Sequence, residues 1–207
     1  PDGQNRGRAS GALDDGRFDR QEECLWPDGC AAMYRKGMLD QIGGFDEDFF
    51  AYGDDAELGL RARIAGWRCL YVPTAVVRHH RGASLGLRSA RRLELIERNR
   101  VLLAAKLFPW SLLWLNPVYY AARLAAGSWA TRRGAGETAL FPGARGKWTV
   151  VASLLRGDLQ ALRLVPRMLW KRLGVRKIRR LSASETRRLI LENRISLREL
   201  VMQSTVS

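Results

Sequence analysis

Cysteine and histidine are scarce in this chain of 207 residues, which has 3 cysteines and 2 histidines. Cys24, Cys30 and Cys69 show no Cys-x-x-Cys spacing. An odd, widely spaced set indicates neither a disulfide framework nor a zinc site, and it favours a reducing, cytoplasmic setting. A charged and then apolar leader is also missing, and the chain starts with Pro rather than Met, so we expect a fragment without a signal peptide.

No apolar run is long enough to cross a membrane. The most apolar stretch, residues 107–122, has no charged residue, but a spanning helix needs about 20 apolar residues. Pro109 and Pro117 also interrupt it. Its tryptophans and tyrosines are amphipathic aromatics that settle at the level of lipid headgroups, so the pattern predicts an interfacial or re-entrant segment.

Acidic residues become rare after Leu58. Residues 1–58 have a net charge of −8, and residues 59–207 have a net charge of +22. Nucleic acid, an anionic membrane surface and simple solvated helix faces could each account for the basic part. No nucleic-acid-binding module is recognisable, so we expect no nucleic-acid partner. A membrane surface explains the charge and the aromatic run together, and we favour it.

Periodicity and capping signals predict a largely helical chain with a few strands. Residues 1–23 read as a loop or as a segment that orders on binding. The other expected elements, in chain order, are a strand and short helix over 30–42, a helix from Asp54 to a stop at Gly66, a β-rich stretch over 67–80, a basic helix over 89–106, a glycine-rich connection over 127–147, basic amphipathic helices over 148–181, and a final helix over 182–200.

Three carboxylates, Asp54, Asp55 and Glu57, crowd the predicted start of one helix. Asp54 and Glu57 have the spacing of a capping box, which is a purely structural explanation. Capping does not need Asp55, however, and a helix N-terminus favours an ionised carboxylate that could act as a general base or hold a cation. His79 and His80 are either an ordinary strand end or metal ligands, and their spacing leaves both interpretations open.

Residues 29–84, together with the "ERNR" stretch at 97–100, resemble family 2 glycosyltransferases, particularly their bacterial rhamnosyltransferase-like branch. The shared pattern is a glycine-containing stretch, then "GGFDEDFF" at 43–50, then the acidic helix start "DDAEL" at 54–58, and then "GW" at 66–67 before a segment that ends in histidine. The order and spacing of these motifs are more specific than any one of them.

The resemblance implies an α/β fold, namely part of a GT-A (Rossmann-like) domain over residues 1–106. The basic charge and the aromatic run predict that a basic, mostly α-helical membrane-surface region over 107–207 follows it. The resemblance also implies inverting transfer of a sugar from a nucleotide-sugar donor, with Asp55 as the general base and Asp54 where Glu is usual. A divalent metal, Mg²⁺ or Mn²⁺, would be held with His79 or His80. The acceptor site would include Asp46, Glu47, Gly29 and Trp26.

The family's nucleotide-binding features are missing from this chain. It has no strand-terminal Asp-x-Asp and no glycine-rich phosphate loop, and residues 1–28 resemble the loop that follows the donor-binding half. We therefore expect an acceptor-side fragment, inactive alone, of an enzyme that acts on a lipid-linked or polysaccharide acceptor at the cytoplasmic face of the membrane in cell-surface glycan synthesis. The alternative is a non-enzymatic membrane-surface adaptor whose acidic motif only caps a helix.

Overall fold

A computed structural model describes residues 2–3, 7, 9, 12–80, 82–83, 85–197 and 199, which are mostly helical. The regular elements in chain order are β1 (Glu22–Glu23), α1 (Lys36–Ile42), α2 (Asp54–Ile64), β2 (Leu70–Tyr71), α3 (Ala90–Leu107), α4 (Trp110–Arg132), α5 (Gly143–Ile178) and α6 (Ala183–Glu192), with short 3₁₀ turns at Gly29–Ala31 and Glu137–Leu140.

The main core lies where α5 packs along α3 and both meet α2. The residues of α5 that face this core recur every three or four positions and include the small residues Ser153, Gly157 and Ala161. Small side chains at this spacing let two helix backbones approach closely. A Cβ atom added to Gly157 would lie only 2.7 Å from the carbonyl oxygen of Glu94 in α3, so this glycine sets the separation of the two helices.

The strands are shorter than the sequence predicts. β1 and β2 form a two-residue antiparallel ladder, in which Glu22 pairs with Tyr71 and Glu23 with Leu70. The rest of the stretch 67–80, expected to be β-rich, is irregular, because Pro73 lacks an N–H for a ladder and both β2 residues are exposed, so little burial holds a longer strand. The strand expected before α1 is replaced by the 3₁₀ turn at Gly29–Ala31, which the Asp28 side chain caps.

The capping box predicted for α2 is wrong. Gly53, with a φ of 89°, is the N-cap, and Asp54 is the first helical residue. Glu57 is fully buried and pairs with Arg61 in its own helix and with Lys106 in α3. The predicted stop at Gly66 is confirmed, since this glycine follows the C-cap Ala65 with a φ of 89°.

Two other helix predictions are confirmed at their N-termini. The Ser89 side chain accepts from the Arg92 N–H at the start of α3. At the start of α6, Ser182 Oγ accepts from the Glu185 N–H at 3.2 Å while the Ser182 N–H donates to Glu185 Oε2 at 2.8 Å. These local pairs of side chain and backbone satisfy amide groups that a helix start leaves free.

Most of the apolar run is helical, and the helix that contains it is longer than expected. Residues 110–122 of the run lie in α4, which continues through Pro117 to Arg132. The predicted connection over 127–147 is therefore shorter in the structure and spans residues 133–142. In place of several basic helices, α5 is one helix of 36 residues that passes through Pro166, with a length of about 54 Å. None of the described helices is long and apolar enough to cross a membrane.

The helical character predicted for the second part of the chain is confirmed, since α3, α4, α5 and α6 make up most of residues 90–192. The only sheet within the described residues is the antiparallel β1–β2 pair, and a parallel Rossmann-like sheet is not among them. The main core includes residues from both sides of position 106, such as Leu103 and Met168. The division into domains at residues 1–106 and 107–207 stays a prediction.

Candidate active site

The loop before α2 has a backbone that few sequences adopt. Phe50 and Tyr52 have positive φ angles of 59° and 65°, and Gly53 follows in the left-handed region. Positive φ is uncommon for residues other than glycine and needs support from the surrounding structure. This loop delivers Asp54 and Asp55 to the first turn of α2, where the partial positive charge of a helix N-terminus favours carboxylates.

Arg98 and Asn99 of α3 hold the backbone of this loop in place. Asn99 Nδ2 lies 2.8, 2.8 and 2.7 Å from the carbonyl oxygens of Phe49, Ala51 and Tyr52. Arg98 donates from Nη2 to the carbonyl of Phe49 at 2.9 Å and from Nε to Asn99 Oδ1 at 2.9 Å. The "ERNR" stretch, to which the sequence assigned no role, therefore fixes the acidic loop by binding its backbone.

A chain of buried ion pairs anchors the preceding segment. Asp46 Oδ2 lies 2.6 Å from Lys106 Nζ, and its Oδ1 accepts a short hydrogen bond from Lys171 in α5. Lys106 also lies 2.6 Å from Glu57 Oε1. Arg61 pairs with Glu57 and donates to the carbonyl of Gly44. Both oxygens of Asp46 are thus engaged inside the protein, whereas Glu47 beside it is exposed.

Asp55 is held in place by two backbone amides. Its Oδ2 accepts from the Gly29 N–H at 2.9 Å, and its Oδ1 accepts from the Ala56 N–H at 2.7 Å. Burial raises the pKa of Asp55, the two hydrogen bonds act in the opposite direction, and the charges of Asp54 and Asp28 raise it further. A fixed carboxylate with a raised pKa is suited to accept a proton near neutral pH.

Gly29 and Trp26 both lie against α2. A Cβ atom on Gly29 would come within 3.3 Å of the Asp55 Cβ, so the missing side chain is what lets the Gly29 amide reach the carboxylate. Trp26 packs on Gly59, where an added Cβ would lie 2.3 Å from the Trp26 Cβ. The structure therefore brings together Asp55 and Gly29, two of the predicted site residues, and places Trp26 beside the same helix one turn further on.

Tyr34 is a site residue that sequence reasoning missed. Its ring meets Phe45 edge-on at 5.8 Å between centroids, and its hydroxyl is buried with no hydrogen-bond partner among the described atoms. Burial raises the pKa of Tyr34 to about 12, and the charge of Asp55 adds to the rise. The phenol therefore stays protonated, and its unpaired hydroxyl is a donor for a water molecule or another polar group. An aromatic before a predicted helix gave no such sign in the sequence.

The metal ligands expected from the sequence do not form a site by themselves. His79 and His80 are exposed in an irregular segment. Among the residues that the structure describes, no three His, Cys, Asp or Glu side chains are grouped closely enough to hold a metal ion. The described residues therefore do not form a complete all-protein cation site, and Mg²⁺ commonly takes only one or two carboxylates together with water and substrate phosphates. The assignment of His79 and His80 stays a prediction.

Comparison with known proteins identifies the segment that contains this site. Residues 13–94 match the model of the family described as "Glycosyltransferase like family 2". This stretch, termed the glycosyltransferase segment below, is therefore similar to family 2 glycosyltransferases. Every predicted site residue lies inside it. The resemblance drawn from the motifs is thus confirmed, including its rhamnosyltransferase-like character, for which the relatives give direct support.

Those relatives are two proteins of Mycobacterium tuberculosis, each named N-acetylglucosaminyl-diphospho-decaprenol L-rhamnosyltransferase. This chain is 44% identical to each of them over 61 residues. The match covers 30% of this chain and 20% of each relative, so the chain spans about a fifth of the length of the relatives it matches. No solved structure matches the chain significantly.

Proposed function

We infer that the chain supplies the acceptor side of a glycosyltransferase that moves a sugar, with rhamnose the first candidate, from a nucleotide-sugar donor to a lipid-linked or polysaccharide acceptor. The observation that carries this proposal is Asp55, a half-buried carboxylate with a raised pKa, fixed by the Gly29 amide inside the glycosyltransferase segment. The rhamnosyltransferase name of the Mycobacterium relatives supports the choice of sugar and of a lipid-linked acceptor.

In this proposal Asp55 is the general base. It takes the proton from an acceptor hydroxyl while the hydroxyl oxygen bonds to the anomeric carbon of the donor. The bond from that carbon to the nucleoside diphosphate breaks on the opposite face, so the configuration inverts. The fixed carboxylate also orients the hydroxyl, which removes much of the entropic barrier to the reaction. Asp54, the preceding residue in the helix, is the second acidic group at this position.

The acceptor is proposed to lie over the start of α2. The exposed Phe50, in the loop before this helix start, offers an apolar face on which a sugar ring can rest. Glu47 remains a candidate contact because it is exposed. Asp46 supports the site indirectly, since its oxygens are paired with Lys106 and Lys171.

The test is release of nucleoside diphosphate by the protein expressed from its complete reading frame, with nucleotide sugars and a membrane extract as acceptor. Asp55→Asn is compared with Asp40→Asn, which changes an exposed aspartate of the same segment. We expect Asp55→Asn to lower kcat by about 10²–10⁴-fold and Asp40→Asn to leave it unchanged. Equal rates in a folded Asp55→Asn protein would remove Asp55 from the chemistry.

The pH profile gives a second measurement. Because the pKa of Asp55 is raised, the carboxylate becomes protonated at a higher pH than an ordinary aspartate, whose pKa is about 3.9. The base is active only when ionised, so the fall of kcat/KM on the acid side is expected at a pH above that value. An acid limb at or below the ordinary aspartate value would contradict this role.

The second part of the proposal is that α4 rests on a membrane. Its inward face combines the buried Leu112 and Ala130 with polar contacts: Tyr120 donates to Asp158 at 2.7 Å, and Arg123 pairs with Glu97 at 2.8 Å. Trp110, Trp114 and Val118 recur every fourth residue on the opposite face and are 58%, 81% and 64% exposed. In a soluble protein an amphipathic helix turns its apolar face inward and its polar face outward. Exposed tryptophans opposite buried polar residues differ from this pattern and support contact with a membrane surface.

Charge complementarity supports an anionic bilayer as this surface. The exposed basic side chains of α5 alternate with exposed leucines and tryptophans along its length, and they are Arg145, Lys147, Arg156, Arg163, Arg167, Arg176 and Lys177. Clustered Lys and Arg near a membrane contribute about 1 kcal/mol each with anionic lipids. A lipid-linked acceptor would be met at this surface, and we place it on the cytoplasmic face of the cell membrane.

Vesicle sedimentation tests this contact. We expect the protein to bind phosphatidylglycerol vesicles, to bind phosphatidylcholine vesicles far less, and to dissociate in high salt. The double change Trp110→Ser and Trp114→Ser should weaken binding at least tenfold, while Phe50→Ser, which removes an exposed aromatic outside α4, should not. Equal binding to both vesicle types would contradict the electrostatic part, and full binding by the tryptophan variant would contradict the role of α4.

A further inference from the structure

Two of the three cysteines face each other across the small sheet. β1 ends at Glu23 and β2 begins at Leu70, so Cys24 and Cys69 are the next opposed pair in the antiparallel register. The Cys24 N–H donates to the Cys69 carbonyl at 3.0 Å, and the two Sγ atoms are 3.2 Å apart. In this structure the two residues are thiols rather than a disulfide. The scarcity and spacing of cysteine gave no sign of this pairing.

The backbone around this pair suits a disulfide without rearrangement. Hydrogen-bonded residues opposite each other in an antiparallel ladder have Cα atoms about 5.5 Å apart, and disulfides need a Cα separation of roughly 4.4–6.8 Å. Bond formation requires the sulfurs to approach from 3.2 Å to about 2.05 Å. This is a shift that side-chain rotation can supply.

The neighbouring residues hold the two segments in this register. Glu23, next to Cys24, pairs with Arg63 at 3.0 Å and with Arg68 at 2.6 Å. Arg68 precedes Cys69 in the chain, so ion pairs from both sides align the two thiols. Cys24 and Cys69 are half-buried, whereas Cys30 is exposed. The position of the pair is therefore fixed by the fold rather than by a chance contact of mobile side chains.

We propose that Cys24 and Cys69 are a site of reversible disulfide formation, with a small-molecule disulfide such as oxidised glutathione as the oxidant. One cysteine thiolate attacks a glutathione sulfur, forms a mixed disulfide and releases one glutathione thiol. The second cysteine then attacks the protein sulfur of the mixed disulfide and releases the other glutathione. Two protein thiols are oxidised to one disulfide, and one glutathione disulfide is reduced to two thiols.

The bond would close a loop between residues 45 positions apart, and this loop contains the acidic site. The segment that follows Cys24 carries Trp26 and Gly29, which contact α2 and Asp55. In the oxidised protein this segment would be covalently tied to the strand that follows α2. The thermal stability of the chain should therefore rise on oxidation, because the cross-link restricts the unfolded chain more than the folded one.

The rate of oxidation should depend on pH. The hydrogen bond with Cys24 and burial both raise the pKa of the Cys69 thiol, and the attacking species is the thiolate. Oxidation is therefore expected to be slow at neutral pH and faster as the pH rises. This behaviour differs from that of a reactive redox-sensor cysteine, and it suits a bond that forms only under sustained oxidation.

Peptide mapping of a Cys30→Ser variant tests the proposal. Trypsin places Cys24 and residue 30 in one peptide, 21–35, and Cys69 in another, 69–78. With Cys30 replaced, a linked 21–35/69–78 pair can arise only from Cys24 and Cys69. After incubation with oxidised glutathione we expect this pair, the loss of both thiols on titration, and a monomer on a non-reducing gel. Two free thiols after incubation, stable glutathione adducts or a disulfide-linked dimer would each overturn it.

Thermal melting provides an independent readout. The oxidised Cys30→Ser protein is expected to melt several degrees above its reduced form, and dithiothreitol should reverse the shift. The matched control, Cys24→Ser with Cys30→Ser, keeps one thiol and should show no shift. An equal shift in the control, or none in the Cys30→Ser protein once the linked peptide has formed, would contradict the proposal that the bond constrains this part of the fold.

Discussion

Replacing Asp46 by Asn should destabilise the protein by an amount that depends on pH. Burial alone would raise the pKa of Asp46, but hydrogen bonds from Lys106 and Lys171 outweigh it and lower this pKa to about 2. The side chain is 5% exposed. The ionised carboxylate is therefore stabilised by its two lysine partners, and an amide at this position would lose that stabilisation.

The magnitude follows from the difference between the folded and unfolded pKa values. A fall from 3.8 to about 2 corresponds to about 2 kcal/mol of stability at pH 7, since one pKa unit is worth about 1.4 kcal/mol. In the Asp46→Asn variant Lys106 still pairs with Glu57 and Lys171 with Asp48. Neither cation is left alone, so the loss should stay below the roughly 3–5 kcal/mol of a broken isolated pair.

Urea unfolding at two pH values measures this contribution. A carboxylate whose pKa is depressed in the folded state stabilises the protein above its unfolded pKa and loses that effect as the pH falls through the folded pKa. The difference between wild type and Asp46→Asn is therefore expected to shrink from about 2 kcal/mol at pH 7 to about 1 kcal/mol at pH 3. Glu47→Gln, an exposed neighbour, should change stability by less than about 0.5 kcal/mol at both pH values.

Two results would refute this reasoning. A loss of stability in Asp46→Asn no larger than that of Glu47→Gln would show that the ion pairs with Lys106 and Lys171 contribute nothing net. An equal loss of stability at pH 7 and pH 3 would show that the charge of Asp46 does not contribute and that only its hydrogen bonds do.

The remaining predictions concern the contacts of α3. Gly157→Ala should destabilise the protein by about 1–3 kcal/mol in urea unfolding, because its Cβ would lie 2.7 Å from the Glu94 carbonyl. Gly174→Ala in the same helix, where an added Cβ meets nothing within 4 Å, should stabilise the protein by roughly 0.5–1 kcal/mol. A change of stability with the same sign in both variants would contradict the packing argument. Asn99→Ala should cost about 2–3 kcal/mol by leaving loop carbonyls without their donor, and unchanged melting would show that water replaces the amide.

The sequence by itself determined the features that depend on neighbours along the chain. The capping box of Ser182 and Glu185, the cap at Ser89 and the glycine stop at Gly66 all join groups a few residues apart. The order of the acidic and glycine motifs likewise indicated the glycosyltransferase family, which comparison confirms for residues 13–94. Local hydrogen bonding and motif order can be read without knowing how the helices pack.

Only the tertiary structure decided what the buried polar groups do. Glu57 has the spacing of a helix cap, yet Lys106 in α3 draws it into an ion pair. Asp46 finds partners 60 and 125 positions away, and the same packing places Cys24 against Cys69. A buried charge must be paired wherever its helix carries it, and the partner is chosen by the packing of α2, α3 and α5, which no pattern of neighbouring residues specifies.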